Sequence, residues 1–190
     1  YGQEWHEAGM LDKKQNVFND FIAAGEFLIT EGYTSPERLA IRGGSNGGTL
    51  IGAVINQKPN LFRVAFPEVG VMDMLRYEKF TIGWAWAVEY GSVKNKKDCE
   101  NILTYSPLHN VKEQTYPSVL VYTADHDDRV VPAHSFKYAA RLQNHQTSDD
   151  PILIRIGSST GHGAGRPTKM KIKEYAEKWA FMFYEMGVDI

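Results

Sequence analysis

Apolar positions along the chain fall into two rhythms. Val17, Phe21, Ala24 and Leu28 recur at helical spacing and predict a helix over 13–32 that stops at Gly32. Short, largely apolar runs follow at 39–42, 64–66, 118–123 and 152–156. Runs of this length, rich in Val and Ile, read as strands buried on both faces. Between them the pattern predicts a small-residue helix over 46–57, ended before Pro59, and another over 132–144. A last helix places Ile172, Tyr175, Ala176, Trp179, Phe183 and Met186 on one face. Residues 71–117 are less regular and rich in aromatics. No repeat, low-complexity tract or interdomain linker breaks the sequence.

Strands alternating with helices predict an α/β fold, with a mostly parallel sheet and helices on both faces. In such sheets reactive groups gather beyond the carboxyl ends of the strands. The loops after residues 42, 66, 123 and 156 are therefore the places to look for chemistry.

The first of these loops reads Gly43-Gly44-Ser45-Asn46-Gly47-Gly48, which contains G-x-S-x-G between a predicted strand and a predicted helix. In that context the motif forms a nucleophile elbow, a strained turn that lifts the serine hydroxyl above the sheet. The helix that follows aims its free amides at the same place, so the Asn46 N–H is the expected oxyanion donor. A phosphate loop is the rival reading, but the spacing fits neither the dinucleotide fingerprint nor a P-loop, and no Lys follows the last glycine.

A reactive serine needs a base, and the base needs an orienting acid. Of six histidines, His162 alone lies on a loop between a late strand and the last helix, in Gly161-His162-Gly163-Ala164-Gly165. His6, His109, His134 and His145 read as surface or packing residues, and His126 as a neighbour within an acidic cluster. That cluster, Asp125-His126-Asp127-Asp128-Arg129-Val130-Val131-Pro132, offers three carboxylates after the third strand, and position alone does not choose among them. The order serine, aspartate, histidine is that of α/β-hydrolases.

Together these motifs resemble the prolyl oligopeptidase family closely. Val69-Gly70-Val71-Met72-Asp73-Met74, Thr81-Ile82-Gly83 and Tyr105-Ser106-Pro107-Leu108-His109-Asn110-Val111 extend the resemblance over essentially the whole chain. It implies the later half of an α/β-hydrolase fold, with residues 1–190 as the carboxyl-terminal part of a catalytic domain. The family's upstream strands and β-propeller lie outside this sequence. It also implies Ser45 as nucleophile, Asp127 as the triad acid, His162 as base and Asn46 as an oxyanion amide. Arg129 resembles the arginine that bonds the substrate backbone, and Trp86 the indole that stacks on proline. Val71, Tyr90 and Val130 resemble further pocket residues. Trp84 departs from the pattern, standing where the family carries histidine. The family's second oxyanion donor is a tyrosine upstream of Tyr1, and Tyr90 does not correspond to it.

Composition narrows the rest. A net charge of −2 argues against a general nucleic-acid binder, which needs a basic surface. No apolar run approaches a membrane span. The single Cys99 allows no internal disulfide, which fits a cytoplasmic setting. No metal or cofactor is called for. The first residue is Tyr1, not Met, and no leader pattern is visible, so the chain reads as a piece of something longer. The expected activity is a serine endopeptidase that cuts short proline-containing peptides after proline through an acyl-enzyme, monomeric at full length. The alternatives are an esterase or a dipeptidyl or acylaminoacyl peptidase on the same fold, and a catalytically silent interaction module.

Overall fold

A computed structural model describes residues 1–163 and 167–189. In chain order the elements are α1 (Gly2–Glu7), α2 (Gln15–Thr30), β1 (Ala40–Gly44), α3 (Asn46–Gln57), β2 (Val64–Glu68), α4 (Ala87–Tyr90), α5 (Lys96–Tyr105), β3 (Ser118–Ala124), α6 (Ala133–His145), β4 (Ile152–Gly157) and α7 (Thr168–Glu185). The four strands form one parallel sheet in the order β1-β2-β3-β4. Each strand returns to its neighbour through helical connections, as parallel pairing requires.

Alternation along the strands divides the core. Ala65, Val119 and Val121 join the larger cluster, with Phe18 and Ile22 of α2, Ile51 and Ile55 of α3, and Tyr138 and Leu142 of α6. Val64, Phe66 and Leu120 point to the other face and meet Phe181, Met182 and Met186. Nearly every strand side chain in β2 and β3 is buried, which is why those runs read as continuously apolar. The sheet thus has helices on both faces, with α7 alone on the second among the described residues.

Two expectations from the pattern need correction. The predicted apolar face of α7 points largely outward, with Ile172 65% and Trp179 52% exposed. The helix instead buries Glu174 and Lys178, because Lys178 reaches under the sheet to Glu68 at 2.7 Å. The irregular segment holds a ten-residue helix, α5, which the pattern did not show. Its sequence is mainly polar and buries only Ile102 and Tyr105. A start signal was available: the Asn95 side chain caps α5 by accepting from the Asp98 amide at 3.2 Å.

Candidate active site

β1 runs two residues further than its apolar stretch and ends at Gly44, so Ser45 sits directly at the strand–helix junction. Its backbone lies at φ +59°, ψ −120°, a conformation costly for any residue with a side chain. The turn is held from below by the Ser45 N–H, which donates to the Glu68 carbonyl at 2.9 Å. Glycine is required at two positions. A Cβ on Gly43 would stand 2.3 Å from the Gly47 carbonyl, and one on Gly48 would stand 2.3 Å from the Glu68 carbonyl. Gly48 lies outside the five-residue motif, yet it is what lets α3 pass close to the end of β2. Asn46 opens α3, where an amide has no acceptor within the helix.

The loop after β3 delivers Asp127. Its Oδ1 accepts from the Arg129 amide at 3.0 Å and the Val130 amide at 2.8 Å, and its side chain is fully buried. Its Oδ2 lies 2.7 Å from Nδ1 of His162. Nε2 of the same ring lies 3.0 Å from Ser45 Oγ. A carboxylate on the Nδ1 side selects the tautomer that carries its proton there, leaving the Nε2 lone pair facing the hydroxyl. Such an arrangement can draw a proton from the serine as its oxygen attacks an electrophile.

The other carboxylates of the cluster point elsewhere. Asp125 Oδ1 pairs with His126 Nδ1 at 2.7 Å and accepts from the Thr160 amide at 3.3 Å. The bond from His126 holds its carboxyl down at about 2. Asp128 is exposed. Ala164 and Gly165, at the end of the histidine motif, lie outside the described residues.

Beside Ser45 opens a cavity of about 200 Å³ lined by Ser45, Asn46, Val71, Trp86, Glu89, Tyr90 and Arg129. Six of these are residues singled out above for catalysis or substrate, all but Glu89. Val130 is not among them: it is buried and meets the site through its amide on Asp127. Trp84 is 67% exposed and also outside the lining, so the indole at the cavity is that of Trp86. The Tyr90 hydroxyl donates to Asn46 Oδ1 at 2.8 Å, and the Arg129 carbonyl accepts from Thr81 Oγ1 at 2.8 Å. Sequence reasoning missed Glu89, whose partners Lys14 and His6 lie 75 and 83 residues earlier. Among the described residues, no group of three or more His, Cys, Asp or Glu is placed to hold a metal ion. No described helix is long and apolar enough to cross a membrane.

The sequence pattern of the prolyl oligopeptidase family matches residues 1–189. The chain belongs to that family. Within it, the chain is 56% identical over 190 residues to a prolyl endopeptidase of Elizabethkingia meningoseptica, covering 99% of this chain and 27% of that protein. It is 47% identical to a prolyl endopeptidase of Dictyostelium discoideum, over 100% of this chain and 26% of the relative. Among solved structures, a prolyl endopeptidase examined for inter-domain dynamics superposes with a TM-score of 0.92 at 52% identity, over 100% of this chain and 27% of the other. Prolyl oligopeptidase B of Galerina marginata, bound to a 35-residue hydrolysis and macrocyclization substrate, superposes with a TM-score of 0.95 at 41% identity, with the same shares covered. The fold is that of the α/β-hydrolases of this family. The chain spans about a quarter of the length of the relatives it matches.

Proposed function

We propose that the protein carrying this chain is a serine endopeptidase that hydrolyses short peptides on the carboxyl side of proline. The observation that carries the reading is the line from Asp127 through His162 to Ser45, at 2.7 Å and 3.0 Å, opening on a cavity walled by Trp86. The names of the relatives support the same chemistry.

In this reading Ser45 Oγ attacks the scissile carbonyl while His162 Nε2 takes its proton. Asp127 holds the ring in register and stabilises the imidazolium that forms. Charge develops on the carbonyl oxygen at the head of α3, where the Asn46 N–H is aimed. His162 then protonates the leaving amine, and water cleaves the acyl-enzyme by the reverse route. The family resemblance implies a second oxyanion donor, a tyrosine upstream of Tyr1; the Tyr90 hydroxyl donates to Asn46 Oδ1 instead. Proline has no N–H to pair, so it must be recognised as a rigid apolar ring. The flat face of Trp86 and the side chain of Val71 offer such a surface. Arg129 at the cavity edge supplies charge-assisted hydrogen bonds to a peptide carbonyl. The reading includes a cytoplasmic, monomeric full-length protein, which cell fractionation and gel filtration test.

The deciding experiment assays the full-length protein on paired peptides with proline or alanine before the scissile bond, and on a simple ester. Strong preference for the proline peptide is expected. Equal cleavage of all three would make the protein a general hydrolase on this fold, and no cleavage of any would make it a silent module.

A further inference from the structure

The sequence assigns no site role to the first fourteen residues, and His6 among them reads as a surface or packing residue. Yet two of their side chains reach the wall of the cavity beside Ser45. Lys14 is buried, with a side chain only 4% exposed, and its Nζ lies 2.5 Å from Glu89 Oε1. His6 Nε2 lies 2.8 Å from Glu89 Oε2. The Lys14 ammonium also stands 5.3 Å from the centre of the Tyr90 ring. Tyr77 meets the same ring edge-on, at 5.6 Å and 82°. The Tyr90 hydroxyl continues to Asn46 Oδ1 at 2.8 Å. Glu89, Tyr90, Asn46 and Ser45 all line one cavity.

A buried ammonium is costly unless it is paired, and its place shows what the pair holds. Lys14 does not stitch together two remote surfaces. It sits on the ring of a pocket residue and against the carboxylate of the residue before it. Burial pushes the Tyr90 phenol above its ordinary range, so the hydroxyl stays a donor to Asn46. Burial also favours a protonated Glu89, but the bonds from Lys14 and His6 overcome it and keep the carboxyl low. Without the Lys14 cation, that carboxylate would face the cavity with only the exposed His6 beside it. Tyr90 would lose the cation over its ring.

We propose that Lys14 and Glu89 form a positioning pair for substrate selection: the ion pair, together with the bond from the Tyr90 hydroxyl to the Asn46 side chain, fixes the Tyr90 ring as a wall of the proline pocket. The inference rests on reading the cavity as a proline pocket, and it gives the amino-terminal segment a part in specificity.

The test uses the full-length protein as wild type, Lys14→Met, Lys14→Arg and the double variant Lys14→Met with Glu89→Gln. Each is assayed on matched proline and alanine peptides and for its rate of labelling by a small fluorophosphonate, which needs Ser45 but not the pocket. Lys14→Met is expected to lower the proline-to-alanine ratio of kcat/KM roughly tenfold, the scale of a modest pocket change, with labelling held within about threefold. Lys14→Arg should keep most of the ratio, and the double variant should regain part of it by removing the stranded charge. An unchanged ratio in Lys14→Met, or ratio and labelling falling together in all three variants, overturns the proposal. Should Lys14→Met not fold, Glu89→Gln and Tyr90→Phe carry the question; each should lower the ratio, and an unchanged ratio in both overturns it. A wild type without proline preference instead defeats the reading of the pocket, and the positioning role with it.

Discussion

Among the described residues, two serine–histidine–aspartate groupings stand out, and they differ in everything except composition. In one, His162 bridges Ser45 at 3.0 Å and Asp127 at 2.7 Å, beside an open cavity and on a serine at φ +59°. In the other, Ser106 Oγ lies 2.8 Å from His109 Nδ1, and His109 Nε2 lies 3.8 Å from Asp73 Oδ1. Ser106 is fully buried, in relaxed backbone at φ −53°, and its oxygen accepts the Met74 amide at 3.2 Å. Asp73 spends its Oδ2 on Lys137 and on Arg76 at 3.1 Å. The second grouping pins the loop after β2, and its serine and aspartate are sealed from solvent. What sets the first apart is access, a strained elbow, and an imidazole with both nitrogens in hydrogen-bond range.

That contrast can be broken most forcefully at the two aspartates. Asp127→Asn should lower turnover of the full-length protein by about 10⁴-fold, through the wrong imidazole tautomer, with little loss of stability. Asp73→Asn should do the reverse, costing about 1–2 kcal/mol through weakened charge-assisted hydrogen bonds to the partly exposed Lys137 and Arg76, while the folded fraction stays active. Kinetics and urea unfolding of both variants check this, and equal kinetic losses would erase the distinction.

Acid should act on the second grouping. His134 Nδ1 accepts the Asp73 amide at 3.0 Å, and burial, partly opposed by Asp73, lowers its pKa from 6.5 to about 4. The folded state therefore favours neutral His134. Its contribution is complete above pH 6.5, declines as pH falls below that value, and is gone below about 4. The loss should reach ~3 kcal/mol, read as a falling urea midpoint. His134→Gln, which can still accept the amide, should lose less on acidification; an identical decline would assign the effect to other groups.

Smaller changes sharpen the picture. Trp86→Ala should lower kcat/KM on proline peptides by roughly 10–200-fold and shrink the preference over alanine in parallel. Equal losses on both substrates would make Trp86 a packing residue only. Ser106→Ala should leave turnover intact and cost about 1–2 kcal/mol, from an amide and an imidazole left without their partner. A large loss of kcat there would contradict a purely structural second grouping.

The sequence made the sheet legible because β2 and β3 are buried on both faces and carry no solvent-facing polar positions. Helix α3 was legible for a similar reason, being nearly all small or apolar. α7 misled because its aromatic stripe is outward and its inward positions are charged: Lys178 is paired with Glu68 and Glu174. At the site, Ser45 and His162 stood out by local motif and by position after a strand. Position alone did not separate Asp127 from Asp125 and Asp128; the family resemblance chose it, and the two amides on its Oδ1 and the ring on its Oδ2 give the physical reason. The Lys14–Glu89 pair was invisible, since nothing local links residues 75 positions apart.

The account turns on whether position, not residue type, makes one serine reactive. The direct measurement is fluorophosphonate labelling of the full-length protein, with the modified peptide identified by mass spectrometry. The account predicts stoichiometric label on Ser45, none on Ser106, and loss of labelling in His162→Ala but not in His109→Ala. Label on any other serine, or labelling that survives Ser45→Ala, would contradict it.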